Sequence, residues 1–170
     1  MTRDPEELLG REAIGDTLER LWAATRPYKA VGGWATVELD RAEREVGEAL
    51  RDLGPWTAEA RPDEPLLGAR CRLMRFQGDR DLVLLEPSTE GRLAASLARH
   101  GEGSVALWLH ADAHAVDRAR AAGFVLSRET NGPLGVERLL VGGPAWGPHL
   151  LLVVTRQTAG RPAAPATIEP

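Results

Sequence analysis

Two histidines and an aspartate lie close together in the stretch His110-Ala-Asp112-Ala-His114. Imidazole and carboxylate groups bind divalent metals, so this cluster could form a metal site. The alternative is structural, because Asp112 follows an apolar run and precedes a helical segment, which is typical of an N-cap residue. We favour the cap, with His114 facing solvent in the first turn and His110 ending the strand.

Three further side chains could take part in chemistry. Cys71 is the single cysteine of the chain, so it forms no internal disulfide. Its alternating surroundings, ARCRLMRF, predict a strand residue packed as a small hydrophobe rather than a nucleophile. Arg70 and Arg72 alternate along the same stretch, and each is either ordinary surface charge or a partner for a carboxylate or phosphate on a ligand.

The composition limits the classes of function. The chain has 170 residues, of which 43% are hydrophobic and 27% charged, with a net charge of -4. This balance predicts a globular protein and offers no basic face for nucleic acid. The first residues lack the apolar core of a signal peptide, and no apolar run approaches the roughly 20 residues that cross a bilayer. We expect a cytoplasmic protein that binds neither nucleic acid nor membrane.

The first half of the chain predicts a helix followed by a strand-helix-strand unit. Apolar residues at helical spacing over 5–25 predict an amphipathic helix, within an N-terminal segment 1–28. A β-rich stretch follows from Ala30, and Asp40 could cap the next helix, which ends near Gly54. Two strands joined at Gly78-Asp79 predict a hairpin, with a short additional strand at 57–60.

The second half repeats this order after a linker helix, 88–103. Strands are predicted in SVALWLH, FVLSRE, GVERLLVG and PHLLLVV, with a helix in DAHAVDRARAAG. The halves form two βαβββ modules, about 29–87 and 104–155, within one domain, 29–155. The segment 156–170 has few large apolar residues and is expected to be a disordered tail.

The passage VLLEPSTEGRLAASLARHGEGSVALWL resembles the vicinal oxygen chelate superfamily, and most of all its methylmalonyl-CoA epimerase branch. Leu84-Leu85-Glu86-Pro87 and Gly101-Glu102-Gly103 carry the resemblance. It implies an α+β fold in which two βαβββ modules form a cupped, mostly antiparallel sheet, with the N-terminal helix added to it. We call the concave face of this sheet the cup.

The resemblance also implies a divalent metal held by one residue from each of four strands. The matching positions in this chain are Val31 or Gly33, Val83, Ala106 and Leu151. Their side chains have no lone pairs to offer a metal. We therefore predict neither a metal nor another cofactor in the cup.

Strand alternation predicts which residues line the cup. The predicted lining is Val31, Gly33, Ala35, Asp81, Val83, Leu85, Ala106, Trp108, His110, His149, Leu151 and Val153. Trp108 is either a stacking platform for a ligand or a core residue. Gly33, Ala35 and Ala106 would leave space beside it. Arg72 would favour an acidic ligand if its side chain faced the cup.

Two functions follow from this lining. The first is a metal-independent protein that binds a largely apolar or aromatic small molecule in the cup. The alternative is a metal-independent isomerase, epimerase, cyclase or lyase in which His110, His149 or Asp81 provides acid-base catalysis on a small acyl or natural-product substrate. The N-terminal helix could cover the mouth of the cup or contribute to a homodimer interface.

Overall fold

The structure, a computed structural model, describes residues 15–143 and 147–155. The described helices are α1 Gly15–Thr25, α2 Leu39–Ala49, α3 Arg92–His100 and α4 Ala115–Ala121, with a 3₁₀ turn at Arg51–Leu53. The strands are β1 Lys29–Ala35, β2 Thr57–Glu64, β3 Ala69–Phe76, β4 Arg80–Pro87, β5 Gly103–Ala111, β6 Thr130–Gly132, β7 Gly135–Leu139 and β8 His149–Val154. The predicted tail and the first part of the predicted helix 5–25 lie outside the described residues.

The strands form one eight-stranded sheet in the order β2-β3-β4-β1-β5-β8-β7-β6. Only the β1–β4 and β5–β8 pairs are parallel, and the two halves of the sheet meet at the antiparallel β1–β5 pair. Strands β2 and β6, at the two ends of the order, contact each other, and the Arg61 Nε atom donates to the Pro133 carbonyl oxygen at 2.8 Å. The predicted α+β class with a cupped, mostly antiparallel sheet is confirmed.

Both faces of the sheet are buried, which explains why its central strands are apolar along their length. In β4, Val83 and Leu85 join the core cluster on the cup face, whereas Leu82 and Leu84 pack under α2. A strand covered on both sides reads as a continuous apolar run rather than an alternating one. The hairpin after β3 turns at Gly78 and Asp79, as predicted; both residues have positive φ.

The glutamates of the two resemblance motifs hold the start of α2. The carboxylate of Glu86 accepts the backbone N–H of Leu39 at 3.0 Å, and that of Glu102 accepts the N–H of Val37 at 2.7 Å. These carboxylates satisfy donors that a helix start leaves without partners. The predicted cap at Asp40 is wrong, because Asp40 lies inside the first turn and pairs with Arg72.

One predicted strand is also wrong. FVLSRE, 124–129, makes a single bridge, between Leu126 and Leu140, and the strand begins only at Thr130. Beyond this bridge, other contacts of Ser127 replace the ladder. Its hydroxyl accepts the Leu139 N–H at 2.9 Å, and its carbonyl accepts from Arg138 at 3.0 Å. The apolar side chains of this segment pack on the sheet, and its backbone joins the sheet at this one bridge, where the N–H groups of Ser127 and Val141 each donate to a carbonyl oxygen at 2.8 Å.

Helix α1 packs on the convex side of the second half of the sheet. Leu21 is buried there against α4 and β5. The Arg118 guanidinium of α4 donates to the carbonyl oxygens of Ala24 and Thr25, at 3.0 and 2.7 Å, which satisfies acceptors in the last turn of α1. The described part of this helix therefore lies away from the mouth of the cup. Within the described residues, no helix has the length and apolar character needed to cross a bilayer.

Candidate functional site

The four expected metal positions lie on the cup face and are buried. Gly33 pairs with Val83 on one side and Ala106 on the other, while Leu151 pairs with Trp108. Val83, Ala106 and Leu151 belong to one apolar cluster with Val31, Ala35, Leu85 and Val153, all from the predicted lining. A metal does not fit here, because these positions supply no donor atoms. Among the described residues, no group of three metal-ligating side chains occurs elsewhere.

Trp108 occupies the space that was expected to be free above Gly33. A Cβ atom built on Gly33 would lie 2.5 Å from Cζ3 of the indole and 2.9 Å from Cβ of Ala106. The indole is 0% exposed. The expectation of space in the cup is therefore wrong, because the small residues accommodate the tryptophan ring. In this conformation Trp108 is a core residue and presents no free ring face to a ligand.

A pair of buried carboxyl groups, which sequence reasoning missed, lies beside Trp108. The indole Nε1 donates to Oε2 of Glu137 at 2.8 Å. Glu137 and Glu64 are both 0% exposed, and Glu64 also accepts the Leu66 N–H at 2.7 Å. Burial, reinforced by the neighbouring Glu64 carboxyl, raises the pKa of Glu137 to about 10. Glu137 is therefore a neutral acid at pH 7.

One signal for Glu137 was available in the sequence. It alternates with Leu139 in β7 and pairs with Val153 of the cup lining, so parity places it on the cup face. Glu64 has no such signal, because β2 is mostly exposed and its register shifts before Glu64. Cys71 is buried in the same cluster, and burial raises the pKa of its thiol, which makes it a poor nucleophile at neutral pH.

The His110-Asp112-His114 cluster is structural at its centre. One Asp112 oxygen accepts the backbone N–H of His114 at 2.8 Å, and both oxygens bind the Arg118 guanidinium at 3.0 and 2.9 Å. These contacts occupy the carboxylate just before α4, but the predicted N-cap at Asp112 is wrong, because the N-cap residue is His114 and Asp112 lies two positions earlier. They also tie Asp112 to the arginine that binds the end of α1.

His110 lies at one end of the cup beside an ion pair. Lys29 pairs with His110 across β1 and β5, and its Nζ atom lies 2.7 Å from Oδ2 of Asp81. Burial, and then the charge of Lys29, lowers the pKa of His110. The ring of Tyr28 packs against the imidazole with 6.3 Å between centroids.

His149 lies at the opposite end of the same face. It pairs with Ala106, four positions along β5 from His110, which corresponds to about 13 Å at the rise of a strand. Burial and the charge of Arg92 lower the pKa of His149 to about 4. Of the three proposed acid-base residues, the structure thus brings His110 and Asp81 to one end and places His149 at the other.

Arg72 does not face the cup. Its guanidinium binds Asp40 at 2.7 Å and Glu43 at 2.5 Å, both on α2. Arg70, on the same side of β3, pairs with Glu86. Arg72 therefore gives no reason to expect an acidic ligand in the cup. Its charge is neutralised by carboxylates of α2 on the other side of the sheet.

A cavity of about 410 Å³ opens beside His149. Helix α1, the first residue of α3, the segment after α4 and the ends of β7 and β8 all contribute to its wall. Its lining is Thr17, Arg20, Arg92, Gly123, Phe124, Val125, Leu140, Val141, Gly142, Gly143, Pro148, His149 and Leu150. The volume lies within the range typical of small-molecule sites. Except for His149, sequence reasoning missed these residues.

The paired βαβββ arrangement around one concave face is the vicinal oxygen chelate fold. Neither a scan against models of protein families nor a search of curated proteins finds a match. Solved structures do match, and they support the resemblance at the level of the fold.

Three of these structures illustrate the similarity. Methylmalonyl-CoA epimerase from Mycobacterium tuberculosis is 19% identical with a TM-score of 0.64, covering 78% of this chain and 90% of its own. The hypothetical protein BH1468 from Bacillus halodurans C-125 is 17% identical with a TM-score of 0.60, covering 76% and 95%. Streptomyces coelicolor methylmalonyl-CoA epimerase in complex with 2-nitronate-propionyl-CoA is 22% identical with a TM-score of 0.57, covering 74% and 94%. At these identities the likeness shows the fold alone.

Proposed function

We propose that this protein binds a small molecule without a metal, and that the ligand occupies the cavity beside His149 rather than the cup. The observation that carries the proposal is the contrast between the two places. The cup is filled by a fully buried indole and apolar side chains, whereas the cavity keeps about 410 Å³ of open volume. We also expect the protein to be cytoplasmic.

The cavity has the composition of a binding site. Apolar side chains of Phe124, Val125, Leu140, Val141 and Leu150 form one part of its wall, and a smaller set of polar side chains forms the rest: Thr17, Arg20, Arg92 and His149. An apolar ligand body gains about 25 cal/mol for each square ångström removed from water, so such walls supply affinity. We therefore keep the predicted class of ligand, largely apolar or aromatic, and move its proposed position from the cup to this cavity.

Acid-base turnover is less favoured than binding. His110 and His149 are separated by about 13 Å along the sheet, which is too far for both to act on one reacting carbon. Asp81 already neutralises Lys29. The three candidate acid-base residues are therefore not assembled around one point, since only His110 and Asp81 lie at the same end of the cup.

Filling the cavity tests the proposal. Val141 lines it and is 46% exposed, so Val141→Trp should place an indole across the opening with little disturbance of the core. Val37→Trp, at a 63% exposed position between β1 and α2, is the matched control. Titration calorimetry with 4-phenylbutyrate and 4-phenyl-1-butanol would measure binding with and without a chelator.

We expect at least one of these probes to bind the native protein and the control variant, with or without the chelator, and not Val141→Trp. Binding that survives Val141→Trp would show that the cavity is not the site. Binding lost on adding the chelator would overturn metal independence. Failure of both probes to bind the native protein would count against the proposal.

A further inference from the structure

We infer that the ligand of the His149 cavity is an amphipathic anion, a small molecule with an apolar body and a carboxylate or phosphate group held by Arg20 and Arg92. This inference rests on the proposed function, since it assigns a chemical class to the ligand of the same cavity. It follows from which charges line the wall, which partners those charges have, and how the wall is held in place.

The charged side chains among the described lining residues are all positive. Arg20 and Arg92 both line the cavity, and no carboxylate is among the lining residues that the structure describes. The chain as a whole carries a net charge of -4. Two cations beside one cavity in an acidic protein create a local field that favours an anion over a neutral or cationic ligand.

Unlike several other arginines on or beside the helices, the two lining arginines have no carboxylate partner among the residues that the structure describes. Arg41, Arg72 and Arg118 each bind carboxylates at 3.0 Å or less. Within the described ranges, no ion pair forms with Arg20 or Arg92. Arg20 instead lies over the ring of Phe124, 5.2 Å from its centroid. A guanidinium is well suited to bind carboxylate or phosphate with two parallel hydrogen bonds.

The apolar half of the cavity lies next to the cationic half. Phe124 links the two, because its ring lines the cavity and also contacts the Arg20 guanidinium. Leu140 and Leu150 continue the apolar wall onto the sheet. A ligand would therefore place its charged group toward the arginines and its apolar body toward these side chains, an arrangement that an inorganic anion alone cannot use fully.

His149 also lines this wall. Its Nε2 atom is buried and has no hydrogen-bond partner among the described residues. The ring carries no charge at neutral pH, because burial and Arg92 disfavour its protonation. Recognition of an anion in this cavity therefore depends on the two arginines.

The wall that carries Arg20 is fixed by contacts outside the cavity. Arg118 binds the last carbonyl oxygens of α1 and the Asp112 carboxylate together. Leu21 anchors the same helix in the core, 1% exposed. Arg20 therefore projects from a docked helix rather than a loose segment, which reduces the ordering cost of binding.

The experiment compares one anion with its neutral counterpart. 4-Phenylbutyrate and 4-phenyl-1-butanol share an aromatic body and differ in the charged group, and inorganic phosphate has the charge without the body. We expect 4-phenylbutyrate to bind the native protein roughly tenfold more tightly than the alcohol, with an advantage that shrinks as salt is added. Inorganic phosphate should bind more weakly than 4-phenylbutyrate.

Substitutions that remove the charge of one arginine at a time test which residues bind the anionic group. Arg20→Gln and Arg92→Gln should each weaken 4-phenylbutyrate binding roughly fivefold to tenfold and leave the alcohol within about twofold. Arg51→Gln, on the exposed 3₁₀ turn, is the matched control and should leave both unchanged. Arg20→Lys retains the charge and should restore part of the affinity.

The outcomes separate this inference from the proposed function. If both probes bind equally and both are lost in Val141→Trp, the cavity is a ligand site and the anion assignment is wrong. If inorganic phosphate binds as tightly as 4-phenylbutyrate, the ligand is not amphipathic. If neither organic probe binds the native protein, the proposed function and this inference both fail.

Discussion

Replacing Glu137 by glutamine should stabilise the protein at neutral pH, although a hydrogen-bonded core residue is changed. Glutamine has nearly the same shape, its amide oxygen can accept the Trp108 N–H, and its NH₂ group can donate to Glu64. The change therefore keeps the contacts of a neutral Glu137 and removes its capacity to ionise.

The magnitude follows from the raised pKa of Glu137. Folding keeps this carboxyl protonated up to a pKa of about 10, whereas the ordinary value is 4.5. Above pH 4.5 the unfolded chain releases a proton that the folded protein retains, so stability falls as pH rises. The cost is about 1.4 kcal/mol per pH unit, or about 3 kcal/mol at pH 7. Glutamine avoids this cost because it does not ionise in the unfolded chain either.

Urea unfolding followed by tryptophan fluorescence measures the effect. We expect Glu137→Gln to increase the free energy of unfolding by about 3 kcal/mol at pH 7 and by less than about 0.5 kcal/mol at pH 4.5. Glu48→Gln, on the exposed side of α2, is the control and should change little at either pH.

Two results would refute the reasoning. A loss of stability in Glu137→Gln at pH 7 would mean that the folded protein contains an ionised Glu137. An equal gain at both values of pH would mean that the amide packs better for reasons unrelated to the proton.

Two further predictions concern the cup and the cavity. Gly33→Ala should cost about 1–3 kcal/mol of stability in urea unfolding, because the new methyl group meets the Trp108 ring; Gly103→Ala, in open space, is its control, and equal effects would contradict the packing. His149→Gln should make the stability of the protein less sensitive to acid. Below pH 6.5 the unfolded chain gains a proton that the folded His149 accepts only near pH 4, so the native protein should lose about 2 kcal/mol more than the variant between pH 7 and pH 5. If the native protein and the variant lost the same stability between pH 7 and pH 5, the pKa of folded His149 would be ordinary and the prediction would be wrong.

Strand parity predicted which side chains face the cup, since the period of two is a local property of the chain. Val83 and Leu85 lie on that face, and Leu82 and Leu84 on the other. What fills the cup depends on side-chain size across three strands. Gly33 and Ala106 suggested open space, whereas they accommodate an indole.

The carboxyl pair and the cavity were beyond sequence reasoning for a different reason. Glu64 and Glu137 come from separate halves of the chain, and no local pattern indicates that they meet. The cavity depends on how α1 docks, which Arg118 fixes through the carbonyl oxygens of Ala24 and Thr25. Contacts between residues more than 90 positions apart produce no periodic pattern in the sequence.

The contact between Arg61 and Pro133 has a consequence for solubility. Strands β2 and β6 end the sheet, and a free strand edge presents unpaired N–H and C=O groups that can recruit another chain. Bringing the two edges together through this hydrogen bond shields each with the other. We expect this contact to disfavour edge-to-edge aggregation of the folded chain.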